Sequence, residues 1–173
     1  KDSGMKIFEL DQATIQQLKR HSLQKAGIDT AHVTFVETNF SQADWFSALT
    51  AAGYDPGKRT IFLWEGVTLY LGEESVRNTL RTVKANALAG SVIAADIYAR
   101  SFVTGEYARG MKATLPVLDM TDEQLSFGIE MTGDYQHALD SFVTSEGLAL
   151  GETYFMGYKT EKGAWMVVAE LKV

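Results

Sequence analysis

The chain has 173 residues, of which 46% are hydrophobic and 22% charged, a composition typical of one globular domain rather than a disordered segment. The formal net charge of -6 argues against a nucleic-acid backbone as the main partner. The absence of cysteine excludes disulfides and thiolate metal sites.

Histidines and apolar runs exclude two further classes of protein. His21, His32 and His137 are too scattered to form a metal site, so no metal is predicted. No apolar run approaches the roughly 20 residues that span a bilayer, and the first residues lack a signal-peptide pattern. The sequence therefore predicts a cytoplasmic protein that binds neither membranes nor nucleic acid.

Strand and helix patterns alternate at the start of the chain. Residues 5–10 (MKIFEL) predict a strand, and Asp11 is a possible N-cap of the helix that follows. That helix is predicted to end at Gly27, with a shared apolar face made of Ile15, Leu18, Leu23 and Ala26. Residues 32–40 (HVTFVETNF) predict a second strand, and residues 44–52 a second helix.

The alternation continues through the middle of the chain. Residues 60–64 (TIFLW) are apolar on both faces, which is typical of the interior of a parallel sheet. A helix is predicted from about Glu73, closed by Gly90, and residues 92–98 (VIAADIY) predict a fourth buried strand. The solvated face of the helix is predicted to carry Glu73, Glu74, Arg77, Arg81 and Lys84.

The last part of the chain departs from this alternation. Residues 99–133 are irregular, punctuated by Gly105, Gly110, Pro116 and Gly128. An amphipathic helix is predicted at 135–145, and two strand-like runs joined by residues 160–163 predict a hairpin. The whole pattern predicts a single α/β domain over residues 1–173.

Polar residues follow the predicted strands where a ligand would bind. In an open parallel sheet, ligands bind beyond the carboxyl ends of the strands. A carboxylate there can accept hydrogen bonds from the vicinal hydroxyls of a ribose, and Asn or Asp can hold an adenine amino group. The set therefore suits an adenosine; it consists of Glu9, Asp11, Asn39, Glu65 with Gly66, Asp96 and Tyr98.

Each of these residues also has a purely structural interpretation. Asp11 taken alone is favoured as a helix cap, and Asn39 is a common turn residue. For Glu65, which lies between a tryptophan and a glycine, a structural and a functional role are equally favoured. The three tryptophans are favoured as core residues: Trp45, Trp64 and Trp165.

Four sequence segments together indicate a family. The string TIFLWEGVTLYL, together with FELDQ, FVETNFSQADW and the later FGIE, resembles the leucine carboxyl methyltransferase-like superfamily, particularly its bacterial polyketide-type O-methyltransferases. The similarity is strongest from residue 6 to 98. It implies a Rossmann-like class I methyltransferase sheet, mostly parallel with a C-terminal antiparallel hairpin. It also implies S-adenosyl-L-methionine as cofactor and methyl transfer to a carboxylate or hydroxyl of a small molecule.

The resemblance assigns roles to the first two strand ends. Asp11, assisted by Glu9, would bind the cofactor ribose, and Asn39 and Phe40 would lie beside the adenine. Asn39 stands where the family usually has Asp. Because its carbonyl can still accept from the adenine amino group, we expect weakened rather than abolished binding.

The resemblance also implies where the reacting end of the cofactor lies. Glu65 of the WEG motif, followed by Gly66, matches the acid placed near the methionine amino group. Residues 99–133 would be a loop insertion on the acceptor side. No convincing base is present in the sequence; the weak catalytic candidates are Tyr70, Tyr98, Arg100 and Tyr107.

Members of this family carry a further segment ahead of this point, with the first strand and a Gly-rich turn that residues 1–173 do not supply. The resemblance therefore implies a sheet that is incomplete at the N-terminus, with a gap between the strands at 5–10 and 60–64. The chain is interpreted as the C-terminal portion of a longer protein. Its partner would be the missing segment, or a chain supplying it, and alone it is expected to be inactive.

Two other functions remain open from the sequence. A nicotinamide-dependent oxidoreductase also carries an acid at a strand end, although the terminal hairpin and the WEG motif argue against that class. A non-catalytic or degenerate subunit that pairs with a catalytic chain is the other alternative. A partner reading frame encoding the Gly-rich part would favour it.

Overall fold

The protein is described by a computed structural model, which covers residues 4–40, 45–109, 112, 124–157 and 163–173. The chain divides into two compact units, Lys1–Pro56 and Gly57–Val173. Several predicted features lie outside the described residues. They are Asp44, Gly110, Pro116, residues 160–162 of the hairpin turn and most of the segment 110–123.

The first unit contains the predicted strand–helix–strand–helix order. Its elements are β1 (Ile7–Asp11), α1 (Ala13–Lys25), β2 (Val33–Glu37) and α2 (Trp45–Ala51). β1 and β2 pair in parallel, with Ile7 opposite Val33 and Asp11 opposite Glu37. The carboxyl ends of both strands therefore lie at one edge of this sheet.

Only the C-terminal end of α1 lies where the sequence predicts it. Gln12, not Asp11, occupies the N-cap, because β1 extends through Asp11. The helix ends as predicted: Gly27 has a φ of 70°, and the Ile28 amide donates to the Leu23 carbonyl at 3.0 Å. A left-handed residue with this bond closes a helix, and glycine adopts it without strain.

The predicted apolar face of α1 is not its buried face. Ile15 and Leu18 are exposed, whereas the polar Gln16 is the buried residue of this helix. Four aromatic rings of this unit contact one another instead, with centroid separations of 5.2 to 6.2 Å, and they belong to Phe8, Trp45, Phe46 and Tyr54. Trp45 is thus a core residue, as predicted.

The second unit contains the longer sheet. Its elements are β3 (Ile61–Trp64), a 3-10 turn (Thr68–Tyr70), α3 (Glu73–Asn86), β4 (Val92–Tyr98), α4 (Arg100–Val103), α5 (Tyr135–Ser145), β5 (Ala149–Gly157) and β6 (Ala164–Lys172). The sheet order is β3-β4-β6-β5. β3 and β4 are parallel, whereas β6 is antiparallel to both of its neighbours. Three of these four strands therefore run in one direction, and the predicted C-terminal hairpin is confirmed.

The described strands form two sheets rather than one. β1 pairs with β2 alone and β3 pairs with β4 alone, so both β1 and β3 are edge strands within the part of the chain that the structure describes. Each edge presents backbone N–H and C=O groups that no described strand pairs. These are the two strands between which the sequence predicts a gap.

One face of the longer sheet exposes large apolar side chains on its two edge strands. Ile61 and Leu63 of β3 are 76% and 74% exposed, and Tyr154 of β5 is 70% exposed. Strand register places these side chains on the same face, opposite to that of the fully buried Ile93 and Ile97. Sheets with parallel strands ordinarily have both faces covered, so this face has the character of a buried surface.

The charged face of α3 is only partly solvated, which corrects the prediction. Glu146, at the C-cap of α5, has a side chain that is 1% exposed, and both Arg77 and Arg81 form ion pairs with it. The Arg77 guanidinium also lies 4.8 Å from the centre of the Phe142 ring. These contacts attach α3 to the end of α5.

Gly128 has a packing role that its place in an irregular segment does not suggest. A Cβ atom added at Gly128 would lie 2.9 Å from Val103 Cγ2 and 3.0 Å from the Ala99 carbonyl. We therefore expect Gly128→Ala to lower the free energy of unfolding by about 1–3 kcal/mol through overpacking, measured by urea denaturation. A Gly128→Ala variant as stable as the wild type would contradict the packing role.

Candidate functional site

The acids at the end of β1 have different surroundings. The Glu9 carboxylate forms an ion pair with Lys19 of α1 at 2.7 Å. Asp11 is the last residue of the strand, and its Oδ1 accepts a hydrogen bond from the Gln12 amide at 2.7 Å. Asp11 is half-buried and makes no ion pair among the described residues, so its second oxygen is the acceptor that this strand end offers a ligand.

Gln16 fixes the carboxyl ends of β1 and β2. Its side-chain amide donates to the Glu9 and Val36 carbonyls, each at 2.9 Å, so that α1 is attached to both strands. Sequence reasoning missed this residue. No local signal distinguishes it, since three glutamines occur within residues 12–17 and only the fold buries this one.

Asn39 and Phe40 follow β2, as predicted. Both are half-buried, and the Phe40 ring lies 5.4 Å from the Trp45 ring between centroids. The Thr38 amide donates to the Asp11 carbonyl at 2.9 Å, which connects this segment to the end of β1. Asn39 therefore lies one residue from a backbone contact with Asp11.

The WEG motif forms a sharp turn at the end of β3. Trp64 is the buried last residue of the strand, whereas Glu65 is exposed. Gly66 has a φ of 68°, a conformation that side chains disfavour, and its amide donates to Asp96 Oδ2 at 2.8 Å. The glycine thus allows the turn, and Asp96 holds it.

Asp96 and Tyr98 lie within the last three residues of β4 rather than after the strand. Asp96 is 6% exposed, and its Oδ2 also accepts from the Tyr98 hydroxyl at 3.1 Å. Its Oδ1 is buried and has no hydrogen-bond partner among the described residues. Thr68 Oγ1 donates to the Asp96 carbonyl at 2.7 Å, so the segment after the turn is attached to the same residue.

Tyr98 is held as a phenol. Burial, reinforced by the neighbouring Asp96 carboxylate, raises the pKa of its hydroxyl well above the ordinary value of 10.0. Its ring lies 5.6 Å from Phe102 and 6.2 Å from Trp165 between centroids. At neutral pH this side chain offers a hydroxyl and not a phenolate.

The other catalytic candidates occupy different settings. Tyr70 ends the 3-10 turn and is exposed. Arg100 is exposed, and its backbone amide donates to Ile129 of the FGIE motif at 2.7 Å. The Tyr107 hydroxyl is buried and donates to the Gly163 carbonyl at 3.1 Å, which is a structural contact with the start of the last strand.

The described residues contain neither a metal-binding cluster nor a membrane-spanning helix. No group of three or more His, Asp or Glu side chains could hold a metal ion there. Within the same residues, no helix combines the length and the apolar character needed to cross a membrane.

The geometry of each unit suits a particular kind of ligand group. In the first unit, the half-buried Asp11 carboxylate at a strand end can accept from hydroxyl groups. In the second unit, the buried Asp96 oxygen beside the Glu65–Gly66 turn can accept from a cationic donor.

Comparison with known proteins supports the resemblance seen in the motifs. Residues 1–84 match the family model described as leucine carboxyl methyltransferase. A relative from Mycolicibacterium vanbaalenii, named "Putative S-adenosyl-L-methionine-dependent methyltransferase", is 28% identical over 155 residues, which are 88% of this chain and 50% of the relative. A relative of the same name from Saccharopolyspora erythraea is 31% identical over 133 residues, covering 75% of this chain and 42% of the relative. The chain spans about half the length of the curated relatives that it matches.

Solved structures with little sequence similarity share the fold. A DUF574 family protein from Streptomyces avermitilis aligns with a TM-score of 0.61 at 14% identity, covering 95% of this chain and 64% of the other. An O-methyltransferase family protein from Burkholderia thailandensis aligns with a TM-score of 0.60 at 12% identity, covering 95% and 42%. The predicted family resemblance and the Rossmann-like α/β fold are both confirmed. The roles of the individual site residues stay predictions.

Proposed function

We propose, from the premise that residues 1–84 belong to the leucine carboxyl methyltransferase family, that the protein is an S-adenosyl-L-methionine-dependent O-methyltransferase. Its acceptor would be a carboxylate or hydroxyl of a small molecule. One observation carries the proposal: the matched segment contains the two strand ends to which the resemblance assigns cofactor-binding acids, the half-buried Asp11 and the exposed Glu65.

The proposed roles follow the chemistry of the side chains. Asp11 would accept from the ribose hydroxyls of the cofactor, with Asn39 and Phe40 beside the adenine. Glu65 would hold the methionine ammonium. Glu9, which is already paired with Lys19, would act by fixing the strand end rather than by direct contact. When bound, the cofactor supplies an electrophilic methyl group on a sulfonium.

The surroundings of Tyr98 favour one type of acceptor. A hydroxyl acceptor needs a base to remove its proton, whereas a carboxylate is already nucleophilic. Because Tyr98 stays protonated at neutral pH and donates its one hydroxyl proton to Asp96, it cannot serve as that base. A carboxylate acceptor, which needs no base, is therefore the proposal that the described residues support best.

The proposal includes a polypeptide partner for this chain. The strand edge of β3, together with the exposed apolar side chains Ile61, Leu63 and Tyr154 of the same sheet, suits a segment that adds a strand and covers them. The relatives are about twice as long as this chain, so they hold enough further polypeptide to supply it. The cytoplasmic location and the loop role of residues 99–133 stay predictions.

Two alternatives are weaker in different ways. The relatives are named as methyltransferases, which argues against hydride transfer with a nicotinamide cofactor. A non-catalytic partner subunit would share every feature above except turnover. An assay of methyl transfer from labelled cofactor to a library of carboxylates distinguishes a non-catalytic subunit from an enzyme.

Titration calorimetry with S-adenosylhomocysteine tests the proposal on two proteins. The product of the full reading frame should bind with micromolar affinity, whereas residues 1–173 alone should bind very weakly or not at all. Adding a separately expressed upstream segment should restore binding to residues 1–173. Absence of binding to the full product would contradict the proposed function. Micromolar binding by residues 1–173 alone would contradict only the need for a partner segment.

A further inference from the structure

We propose that Asp96 is a binding residue for the ammonium end of the methyl donor, while it also fixes the turn that carries Glu65. The inference rests on the proposed function, because it adds a second carboxylate to that site. Sequence reasoning named Asp96 among the polar residues near the strand ends but assigned it no role.

The Asp96 carboxylate contains an unsatisfied buried acceptor. Asp96 is 6% exposed, and its Oδ2 accepts from both the Gly66 amide and the Tyr98 hydroxyl. Its Oδ1 is buried without a hydrogen-bond partner among the described residues. Buried carboxylate oxygens are costly when unpaired, so the position is suited to a donor that arrives with a ligand.

The two carboxylates near this turn carry negative charge without a cationic partner among the described residues. Neither Asp96 nor Glu65 forms an ion pair within the described part of the chain. Glu65 directly precedes Gly66, whose amide is bonded to Asp96, so Asp96 holds the turn that carries Glu65. Two acids without a cation favour a positively charged ligand group. An ammonium has three donors, one of which can bond to the free Oδ1 of Asp96.

Asp96 holds the Glu65–Gly66 turn through two hydrogen bonds. The Gly66 amide bonds to the Asp96 side chain at 2.8 Å, and the Thr68 hydroxyl bonds to the Asp96 carbonyl at 2.7 Å. The backbone on either side of Val67 is therefore fixed by one residue of β4. A ligand group bound at Oδ1 would meet a preorganised site, in which little ordering is left to binding.

The variant Asp96→Asn tests the role of the unpaired Oδ1 of Asp96. The amide oxygen of Asn can keep both bonds that Oδ2 accepts, while its nitrogen replaces the free acceptor by a donor. We expect this variant of the full reading-frame product to bind S-adenosylhomocysteine roughly tenfold or more weakly. Binding of 5′-methylthioadenosine, which lacks the amino-acid end, should not change. Asp140→Asn on the exposed side of α5 makes the same change of charge and should leave both affinities unchanged.

Each outcome decides the inference. A selective loss for S-adenosylhomocysteine supports it, whereas an equal loss for both ligands, or no loss, overturns it and leaves the proposed function intact. If the wild type binds neither ligand, the proposed function is wrong and the inference falls with it. If Asp96→Asn does not fold, a crystal structure of the wild type with S-adenosylhomocysteine decides. An ammonium nitrogen within about 3.2 Å of Asp96 Oδ1 supports the inference, and a separation above about 4 Å overturns it.

Discussion

Asp11→Ala should weaken binding of S-adenosylhomocysteine to the full reading-frame product by about 100-fold. A carboxylate that accepts from two ribose hydroxyls makes two charge-assisted hydrogen bonds, each contributing roughly 1.5–3 kcal/mol, and 1.4 kcal/mol corresponds to a tenfold change in affinity. Asp11 lies at the carboxyl end of β1, and its Oδ1 is bonded only to the Gln12 amide within the described residues. Titration calorimetry measures the effect directly.

Asp29→Ala is a matched control for this prediction. Like Asp11, Asp29 lies in the first unit and its Oδ1 accepts from a nearby backbone amide, that of Ala31, at 2.9 Å. Both variants therefore lose one carboxylate and one local hydrogen bond, so their stabilities should change alike. Only Asp11→Ala should lose cofactor affinity, and similar affinities in the two variants would rule out the ribose role.

Glu146→Gln should lower the free energy of unfolding by about 2–4 kcal/mol in urea denaturation. Removing one partner of a buried ion pair ordinarily costs about 3–5 kcal/mol, and the estimate is reduced because both arginines are partly solvated. The Glu146 side chain is 1% exposed, whereas those of Arg77 and Arg81 are 25% and 50% exposed. Glu74→Gln is the control, since that carboxylate also pairs with Arg81 but is 80% exposed, and its loss should change little.

The same carboxylate predicts how stability depends on pH. Burial acts to raise the pKa of Glu146, but hydrogen bonds from Arg77 and Arg81 outweigh it and hold the pKa below the ordinary value of 4.5. A lowered folded-state pKa stabilises the protein above the unfolded-state value, and this contribution is lost as the pH falls through the folded-state value. The difference between wild type and Glu146→Gln should therefore shrink below about pH 4.5. A difference that stays constant to pH 3 would contradict the ion-pair explanation.

Several strands and helices of this protein were predictable because their apolar patterns involve residues that are close in sequence. Residues 92–98 and 135–145 were predicted with the bounds that the structure gives, since β-branched runs and helical spacing are properties of neighbouring residues. The buried face of α1 was not predictable in this way. Its outcome depended on Gln16 reaching the carbonyls of two strands, one of which lies twenty residues away.

The residues of the candidate site also divide into those predictable from neighbouring residues and those that depend on the tertiary structure. Glu65 and Gly66 were predicted from the sequence WEG, because a glycine after a strand and an acid predicts a sharp turn whatever lies around it. The partner of that turn, Asp96, comes thirty residues later in the chain. Parallel pairing of β3 with β4 brings the two together, and no sequence spacing encodes that register.

The sequence by itself therefore determined the order of strands and helices, the match of residues 1–84 to the leucine carboxyl methyltransferase family model and the acids at the strand ends. Only the tertiary structure decided which charges are buried: Glu146 is enclosed by two arginines that the helix pattern alone predicted to face solvent, and Asp96 retains a carboxylate oxygen without a partner among the described residues. The physical reason is that amphipathic patterns report the preference of each residue for water, whereas burial of a charge is set by partners that are distant in sequence.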